Sequence, residues 1–151
     1  MSDGDGTRGG GCQCGAVRFE TRGAPKRIGA CHCRMCQRAV GGPYGIYAVF
    51  AAPQVTWTVG APALWASSNI ASRGFCRDCG TPLTYQSADG STIDILSAVF
   101  DDPSDLGPAY AIGVESKLPW ADGLPALPSK STAQNIGAAA DRIVSRQSQG
   151  A

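Results

Sequence analysis

The sequence predicts a mostly β fold in a single domain. Short runs of apolar residues, alternating with polar residues or rich in β-branched side chains, recur along the chain, and most are bounded by Gly, Pro, Asp or Ser. The 151 residues include 20 glycines and 10 prolines, and only 7% are aromatic. A chain of this length and composition fits one loop-rich domain with a modest apolar core.

The N-terminal part is predicted to be a tail followed by a strand. Residues 1–11 hold five glycines and three charged residues, so we expect a flexible tail over residues 1–10 and an ordered domain over residues 11–128. Beyond the tail, Val17 and Phe19 alternate with Arg18 and Glu20. This alternation predicts a half-buried strand with its apolar side toward the core.

Six further strands and one helical turn are predicted within the domain. The strand candidates comprise residues 44–50, 55–59, 63–66, 84–86, 92–100 and 109–114. The helical turn is predicted over residues 34–39.

The C-terminal segment, residues 129–151, is rich in Ser, Ala and Gln. Its apolar residues fall at helical spacing, namely Ile136, Ala139, Ala140, Ile143 and Val144. Ser131 or Thr132 could cap the start of a helix there. The segment is therefore predicted either as a helix, packed on its own domain or on a second subunit of a homo-oligomer, or as a frayed tail.

Charge and hydropathy disfavour nucleic acid and membranes as partners. The formal net charge is +1 and there is no basic run, so a polyanion would be attracted only weakly. No apolar stretch reaches the roughly 18 residues of a membrane span. Because the first residues lack the apolar centre of a signal peptide, the predicted location is cytoplasmic.

All seven cysteines fall into three clusters. These are Cys12-Gln-Cys14, Cys31-His-Cys33-Arg-Met-Cys36 and Cys76-Arg-Asp-Cys79-Gly. The odd number of cysteines and a reducing compartment argue against a disulfide framework. The spacing is typical of thiolate ligands to zinc.

The first and third clusters predict a closed, structural zinc site. Cys12 and Cys14, two residues apart in an extended chain, would project to the same side. Cys76 and Cys79, followed by Gly80, form a knuckle whose glycine allows a tight backbone path around a metal. Since 61 residues separate Cys14 from Cys76, this zinc would tie the beginning of the domain to its middle.

The second cluster offers only three thiolates, those of Cys31, Cys33 and Cys36. They can face one metal if the chain leaves a strand at Cys33 and enters a short helix. Water, a substrate thiol or His32 could fill the fourth position, although an extended chain would point His32 away from its neighbours toward a supporting or surface position.

Three interpretations of the second cluster stay open. They are a zinc that activates an incoming thiol, a second structural zinc closed by an unidentified group, and redox chemistry at Cys33 and Cys36. A zinc with three protein ligands and an exchangeable position is typical of catalysis, so the spacing favours the first.

The motifs of this chain resemble those of the glutathione-dependent formaldehyde-activating enzyme family, also called the centromere protein V type. The matching segments are Gly11-Cys12-Gln-Cys14-Gly15-Ala-Val17-Arg-Phe19, Cys31-His-Cys33-Arg-Met-Cys36-Gln-Arg, Phe75-Cys76-Arg-Asp-Cys79-Gly80-Thr81-Pro82-Leu83 and Glu115-Ser-Lys117-Leu-Pro119-Trp120. The resemblance covers about residues 10–120 and includes every cysteine.

The resemblance implies a β-tent fold of stacked antiparallel sheets. It also implies a structural zinc at Cys12, Cys14, Cys76 and Cys79, and a second, more labile zinc at the catalytic residues Cys31, Cys33 and Cys36. The implied activity is that of a carbon–sulfur lyase that condenses glutathione with formaldehyde to S-hydroxymethylglutathione. The expected partners are then a small thiol such as glutathione and a small aldehyde.

Glutathione carries two carboxylates, which call for cationic anchors. Arg38, Arg73 and Lys117 are the candidates because each lies within or beside a motif. Trp120 is expected either to wall the pocket or to belong to the core. A competing interpretation is a zinc-stabilised module that binds a protein partner and has no catalytic function.

Overall fold

The computed structural model, which describes residues 6–148, contains ten strands and two short α-helices. The strands are β1 (Thr7–Gly11), β2 (Arg18–Arg22), β3 (Arg27–Cys31), β4 (Gly45–Ala51), β5 (Val55–Val59), β6 (Ala63–Ala66), β7 (Ala71–Phe75), β8 (Pro82–Ser87), β9 (Thr92–Leu96) and β10 (Tyr110–Ile112). The helices are α1 (Arg34–Val40) and α2 (Thr132–Ile136). Short 3-10 turns occupy Ala52–Gln54, Ser97–Val99, Val114–Ser116, Ala121–Ala126 and Gly137–Arg142.

The strands form a small and a large sheet. The small sheet has the order β1-β2-β5 and the large sheet the order β10-β3-β4-β9-β8-β7-β6. All pairs are antiparallel except β10 with β3, which run parallel. The predicted mostly β fold with stacked sheets is confirmed.

The main core lies between the two sheets. Phe19 of the small sheet is 1% exposed and packs edge-on against Phe100, with ring centroids 5.1 Å apart. The large sheet contributes Ala48, Phe50 and Ile95, which are fully buried. The alternation predicted around Phe19 is therefore confirmed, and it directs one face of β2 into this core.

The two faces of the large sheet carry different chemistry. Ile28, Ala48 and Ile95 lie directly opposite one another on neighbouring strands and face the core. Residues one position away, such as Arg27, Val49 and Asp94, form the next row and therefore lie on the other face. That second face holds the candidate site.

The N-terminal tail predicted over residues 1–10 is too long. Thr7–Gly11 form β1, which pairs with β2. At Gly10 a Cβ atom would lie 2.3 Å from Cζ of Phe19, so glycine is required there by close packing and is not a sign of flexibility. Residues 1–5 of the predicted tail lie outside the described residues.

Other sequence predictions are confirmed with changed boundaries. The strands predicted over 44–50, 55–59, 63–66 and 84–86 and the helical turn over 34–39 correspond to β4, β5, β6, β8 and α1. The predicted strand 92–100 is wrong beyond Leu96, where a 3-10 turn begins, and 109–114 shortens to the three residues of β10. Strands β3 and β7 were not predicted, because Gly and Ser interrupt their apolar pattern.

The C-terminal segment contains the short helix α2. Ser131 caps it by accepting a hydrogen bond of 3.1 Å from the Gln134 backbone N–H. Helical spacing continues in the sequence to Val144, but the α-helix ends at Ile136, a 3-10 turn follows, and Val144 is 84% exposed. None of the helices in the described residues is long and apolar enough to cross a membrane.

Candidate metal centres and the cavity beside them

The four predicted ligands of the closed site converge. The Sγ atoms of Cys12, Cys14, Cys76 and Cys79 lie within 4.8 Å of one another. Cys14 Sγ lies 3.6 Å from that of Cys12 and 3.8 Å from that of Cys76. A tetrahedral site with zinc–sulfur bonds of about 2.3 Å has sulfur–sulfur edges of about 3.8 Å. The donor set therefore fits a zinc ion.

A turn after β1 brings Cys12 and Cys14 together. The Gly15 N–H donates to the Cys12 carbonyl at 3.2 Å, and the Val17 N–H donates to the Cys12 Sγ at 3.3 Å. Gly15 has a φ of +83°, which glycine adopts without strain. The predicted extended conformation is wrong here, because the chain reverses at once and folds the two thiols onto the same side.

The second half of this centre is the predicted knuckle. The Gly80 N–H donates to the Cys76 carbonyl and the Cys76 N–H to the Thr81 carbonyl, both at 2.9 Å, and Gly80 has a φ of +76°. The Thr81 hydroxyl accepts from the Gln13 N–H at 3.1 Å and lies 3.1 Å from the Cys79 Sγ. Thr81 thus joins the two halves, a role that its place in the motif did not reveal.

The pKa values of the thiols in this centre are shifted in opposite directions. Burial acts to raise the pKa of Cys79, but hydrogen bonds from Thr81 outweigh it and lower that pKa to about 6. The Ala16 N–H acts to lower the pKa of Cys14, yet burial and the neighbouring thiols raise it to about 12. Four adjacent thiolates therefore need a cation, which is the chemistry expected of a zinc site.

The three thiols of the second cluster also converge. The Sγ atoms of Cys31, Cys33 and Cys36 lie within 4.8 Å of one another. Cys31 ends β3, Cys33 caps α1, and Cys36 lies in its first turn and donates its N–H to the Cys33 Sγ at 3.4 Å. The strand ends at Cys31 and not at Cys33 as predicted, because Cys33 is already the helix cap.

Hydrogen bonds from Gln37 join this cluster to the segment after β10. Its side-chain Nε2 donates to the His32 carbonyl at 2.6 Å and to the Ser116 carbonyl at 2.9 Å, and the residue is 4% exposed. The His32 N–H donates to the Ile112 carbonyl at 2.8 Å. These bonds hold the backbone between the first two ligands in place.

Gly113 sets how closely that segment approaches the ligands. Its φ is +65°, and a Cβ atom on it would lie 2.7 Å from the backbone nitrogen and 3.1 Å from the Cβ of Cys33. Both the backbone conformation and the space require glycine. A larger residue would push the segment away from the cluster.

His32 is buried behind the cluster. It is 6% exposed, and its ring packs against Tyr44 with centroids 5.0 Å apart. Its Nδ1 makes no hydrogen bond within the described part of the chain, and its ring nitrogens are not among the donor atoms grouped with the three thiols. The surface position predicted as one alternative for His32 is wrong, and the described residues supply three ligands to this centre.

Arg73 is the candidate anchor that the fold places at the second cluster. Its Nη2 lies 3.4 Å from the Cys36 Sγ, and its Nη1 donates to the Tyr47 hydroxyl at 3.0 Å. The guanidinium also lies over the Tyr85 ring, 5.3 Å from its centroid. Its positive charge therefore adjoins a sulfur ligand.

Two cavities meet at this point. The cluster cavity, of about 230 Å³, is lined by the three cysteines and by Arg27, Gly29, Met35, Tyr47, Val49, Arg73, Tyr85, Asp94, Tyr110 and Ile112. The large cavity, of about 780 Å³, shares Met35, Tyr47 and Arg73 with it and extends to Arg38 and Trp65. Together they provide room for a ligand larger than a single amino acid.

The three predicted anchors are not brought together. Arg38 lines the large cavity and Arg73 lines both cavities. Lys117 lines neither, and its Nζ pairs with Asp122 at 2.6 Å. Trp120 also lines neither and is 55% exposed, so both expectations for it, a pocket wall and a core residue, are wrong.

The electrostatics of the cluster cavity also call for a cation. Burial and the neighbouring thiols raise the pKa of Cys31 to about 12. Burial acts to raise the pKa of Cys33, but its hydrogen bonds with the Cys36 N–H and the adjacent thiols lower it. Burial and the nearby Cys36 raise the pKa of Tyr47, so its hydroxyl keeps its proton. Three ionised thiols in this space therefore require a metal, and the donor set again fits zinc.

Sequence reasoning missed Tyr47, Tyr85 and Asp94. They lie on β4, β8 and β9, at positions where alternation shows only that they face away from the core. No signal in the sequence distinguishes them from other strand residues that face away from the core.

Comparison with known proteins agrees with this architecture. A family model described as glutathione-dependent formaldehyde-activating enzyme matches residues 7–116. An uncharacterised lyase of Schizosaccharomyces pombe is 27% identical over 89 residues, which span 59% of this chain and 64% of that protein, less than two thirds of its length. A crystal structure of a Rhodobacter sphaeroides protein is similar with a TM-score of 0.56 and 25% identity, covering 68% of this chain and 98% of that one.

Proposed function

Because the chain belongs to the glutathione-dependent formaldehyde-activating enzyme family, we propose that it is a carbon–sulfur lyase that adds a small thiol to formaldehyde or a similar electrophile. The lyase class is supported by the family and by the name of the Schizosaccharomyces pombe relative. Glutathione is the first thiol to consider, because the family is named for it. A cytoplasmic location and the absence of nucleic acid or membrane partners remain part of the proposal.

The observation that carries the proposal is the difference between the two cysteine centres. Four thiols close the first, whereas the second gathers three thiols at a cavity. Zinc bound by three protein ligands keeps a position for an exchangeable fourth ligand and lowers the pKa of a thiol that occupies it. Cys31, Cys33 and Cys36 would hold that zinc, and Cys12, Cys14, Cys76 and Cys79 would hold the structural one.

The proposed reaction balances without a further reactant. The thiol sulfur forms a bond to the carbonyl carbon, the π electron pair of the carbonyl moves to oxygen, and the thiol proton ends on that oxygen as a hydroxyl. The reverse reaction breaks the carbon–sulfur bond and releases the aldehyde and the thiol.

Arg73 and Tyr47 are the residues proposed to assist the developing oxyanion. Both contact the edge of the cluster, since Arg73 lies beside the Cys36 Sγ and donates to the Tyr47 hydroxyl. Tyr47 stays protonated and can itself donate a hydrogen bond. Donors held in a buried site stabilise an oxyanion more strongly than water does.

The substrate is proposed to extend from the cluster cavity into the large cavity. Arg38, which lines the large cavity, remains a proposed anchor for a carboxylate there. Lys117 is the weakest of the three anchors, since it is paired with Asp122 and lies away from both cavities.

Calorimetry on the zinc-loaded protein tests this function. Glutathione should bind the wild-type protein, and Cys33→Ser should abolish that binding while the fold is retained. Exchange NMR of glutathione mixed with formaldehyde should show faster formation and loss of the hydroxymethyl adduct when the wild-type protein is present. If neither glutathione nor other small thiols bind, the proposed function is wrong.

One observation favours the second candidate, a zinc-stabilised module that binds a protein. Ile112, Val114 and Trp120 are all more than half exposed. They lie along β10, which pairs with β3, and along the segment that follows β10. Exposed apolar groups of this kind occur at interaction surfaces. Absence of any thiol binding would favour this function.

A further inference from the structure

A polar row crosses the large sheet beneath the cluster cavity. Arg27 on β3 lies opposite Val49 on β4, Val49 lies opposite Asp94 on β9, and Asp94 lies opposite Tyr85 on β8. Residues directly opposite one another in neighbouring strands share a face, so all four point to the same side of the sheet. All four also line the cluster cavity.

Asp94 is the residue of this row whose hydrogen bonding is incomplete. Its Oδ1 is buried and accepts no hydrogen bond from the described residues. No ion pair within 4.0 Å joins it to an arginine in the described part of the chain. A buried acceptor without a donor is costly and usually has a functional explanation.

Arg27 supplies an opposite charge at the β3 end of the row, and Arg73 on β7, which lies opposite Tyr85, supplies another beyond the β8 end. Arg27 is exposed, and the pKa of Asp94, although raised by burial, is drawn down by the positive charge of Arg27. Only Val49 separates Arg27 from Asp94 in the row. Because neighbouring strands are about 4.8 Å apart, the backbones of Arg27 and Asp94 are about 10 Å apart. In the part of the chain that the structure describes, a carboxylate without an ion pair and an exposed guanidinium without an ion pair thus flank one apolar side chain.

We propose that Asp94 and Arg27 bind a zwitterionic α-amino acid group on the thiol substrate, with the ammonium on Asp94 and the carboxylate on Arg27. The inference rests on the proposed function in that the same ligand places its sulfur at the three cysteines. It adds the chemical class of the remote end of the substrate and the two residues that recognise it.

The distance from the cluster favours the longer substrates of this class. Cys31 and Arg27 are both in β3, four residues apart, which corresponds to about 13 Å along the strand. A ligand that spans this distance has several bonds between its sulfur and its amino acid group. Glutathione, whose γ-glutamyl group lies at one end, is a ligand of this kind.

The cavity between the two ends suits such a ligand. Tyr110 lies over Gly29, where a Cβ atom would come within 2.5 Å of its ring, and Tyr47 lies over Gly45, where the distance would be 2.6 Å. Because these two positions are glycines, the aromatic rings can approach the sheet and line the cavity along the path from the cluster to the polar row. An extended peptide chain would pass along these rings.

Calorimetry with matched ligands tests the inference. The probes are glutathione, its analogue without the α-ammonium group (glutaryl-cysteinyl-glycine), and S-methylglutathione, which has no thiol to activate. The wild-type protein should bind glutathione at least about tenfold more tightly than the analogue, the effect of one charge-assisted hydrogen bond. Asp94→Asn should remove this preference by weakening only the ligands that carry the ammonium, and Arg27→Gln should weaken every ligand that carries the carboxylate.

Matched controls separate recognition from folding. Glu20→Gln and Arg22→Gln change exposed charges of the small sheet and should bind all three ligands as the wild type does. Circular dichroism should show that Asp94→Asn and Arg27→Gln are folded, and the comparison of ligands on the wild-type protein needs no variant. Equal binding of glutathione and the analogue, or equal weakening of both in Asp94→Asn, would overturn the inference.

The outcomes for this inference and for the proposed function differ. If S-methylglutathione binds in an Asp94-dependent manner while glutathione does not react with formaldehyde, the recognition is correct and the lyase function is wrong. If glutathione reacts without any preference for the ammonium group, the function stands and the recognition is wrong. If none of the three ligands binds, both are wrong.

Discussion

The Nη2 of Arg73 lies 3.4 Å from the Sγ of Cys36, although the two residues are 37 positions apart in the chain. Arg73 is on β7 and Cys36 is in α1, so only the folded sheet brings them into contact. The contact places a permanent positive charge beside a sulfur that is predicted to bind zinc. The same guanidinium donates a hydrogen bond to the Tyr47 hydroxyl.

Loss of the Arg73 guanidinium should weaken thiol binding more than zinc binding. Arg73→Gln removes a charge-assisted contact worth about 1.5 kcal/mol, so we expect glutathione to bind the zinc-loaded variant roughly tenfold less tightly. Arg73→Lys keeps the positive charge but loses one of the two contacts of the guanidinium. Its affinity for glutathione should therefore lie between those of the wild type and Arg73→Gln. Calorimetry measures the affinity, and Arg22→Gln on the small sheet is the matched control. Wild-type affinity in Arg73→Gln would show that the contact has no part in binding.

The closed centre should be necessary for folding. Cys79→Ser leaves three thiolates at a site that joins the turn after β1 to the knuckle before β8, and structural zinc contributes directly to folding free energy. We expect this variant to unfold or aggregate, as measured by circular dichroism and thermal melting. The matched control is Cys33→Ser, which should stay folded. An unchanged melting temperature in Cys79→Ser would show that the centre is not structural.

The two zinc ions should leave in separate steps. Three protein ligands hold a metal less firmly than four, so mild chelation should first remove the ion at Cys31, Cys33 and Cys36 while the circular dichroism spectrum is unchanged. The second ion should leave only together with the loss of structure. The experiment is a chelator titration that follows released zinc and ellipticity in the same sample. Release of both ions in one cooperative step would contradict the assignment of different roles.

Asp94 should destabilise the unliganded protein at neutral pH. Burial raises the pKa of its carboxyl group, against the opposing effects of Thr92 and Arg27, above the ordinary value of 3.8. The folded state then binds the proton more tightly than the unfolded state, so the favourable contribution of the protonated group is complete below pH 3.8 and is lost as the pH rises through the folded pKa. Asp94→Asn should therefore melt at a higher temperature than the wild type at pH 7, where the wild-type carboxyl group is ionised.

The gain from Asp94→Asn should shrink as the pH falls toward 4. Asp89 provides a control of opposite sign, because hydrogen bonds from Ser91 lower its pKa to about 2. Asp89 stabilises the protein above its unfolded pKa, so Asp89→Asn should give no increase in melting temperature at pH 7. Melting curves of the three proteins between pH 8 and pH 4 measure these differences. A gain for Asp94→Asn that does not depend on pH would show that its charge is not the cause.

Cysteine spacing predicted the two groups of thiols that converge in the structure, and alternation predicted most of the strands. Cysteine spacing is a local property. The CxC pair, the CxCxxC cluster and the CxxCG knuckle each limit which sulfurs can share a metal. Alternation of the kind seen from Val17 to Glu20 also depends only on near neighbours, because each side chain of a strand points opposite to the next. The family resemblance rests on the same motifs and is confirmed by the match over residues 7–116.

Which polar residues join the candidate site depends on the tertiary structure. Arg73 and Lys117 were equal candidates in the sequence, yet strand pairing carries Arg73 to Cys36 and leaves Lys117 paired with Asp122. The row from Arg27 to Asp94 arises from the register of three strands, β3, β4 and β9, of which β9 lies far from the other two in the chain. Register depends on the packing of the opposite, apolar face over long sequence separations, and no local pattern contains that information.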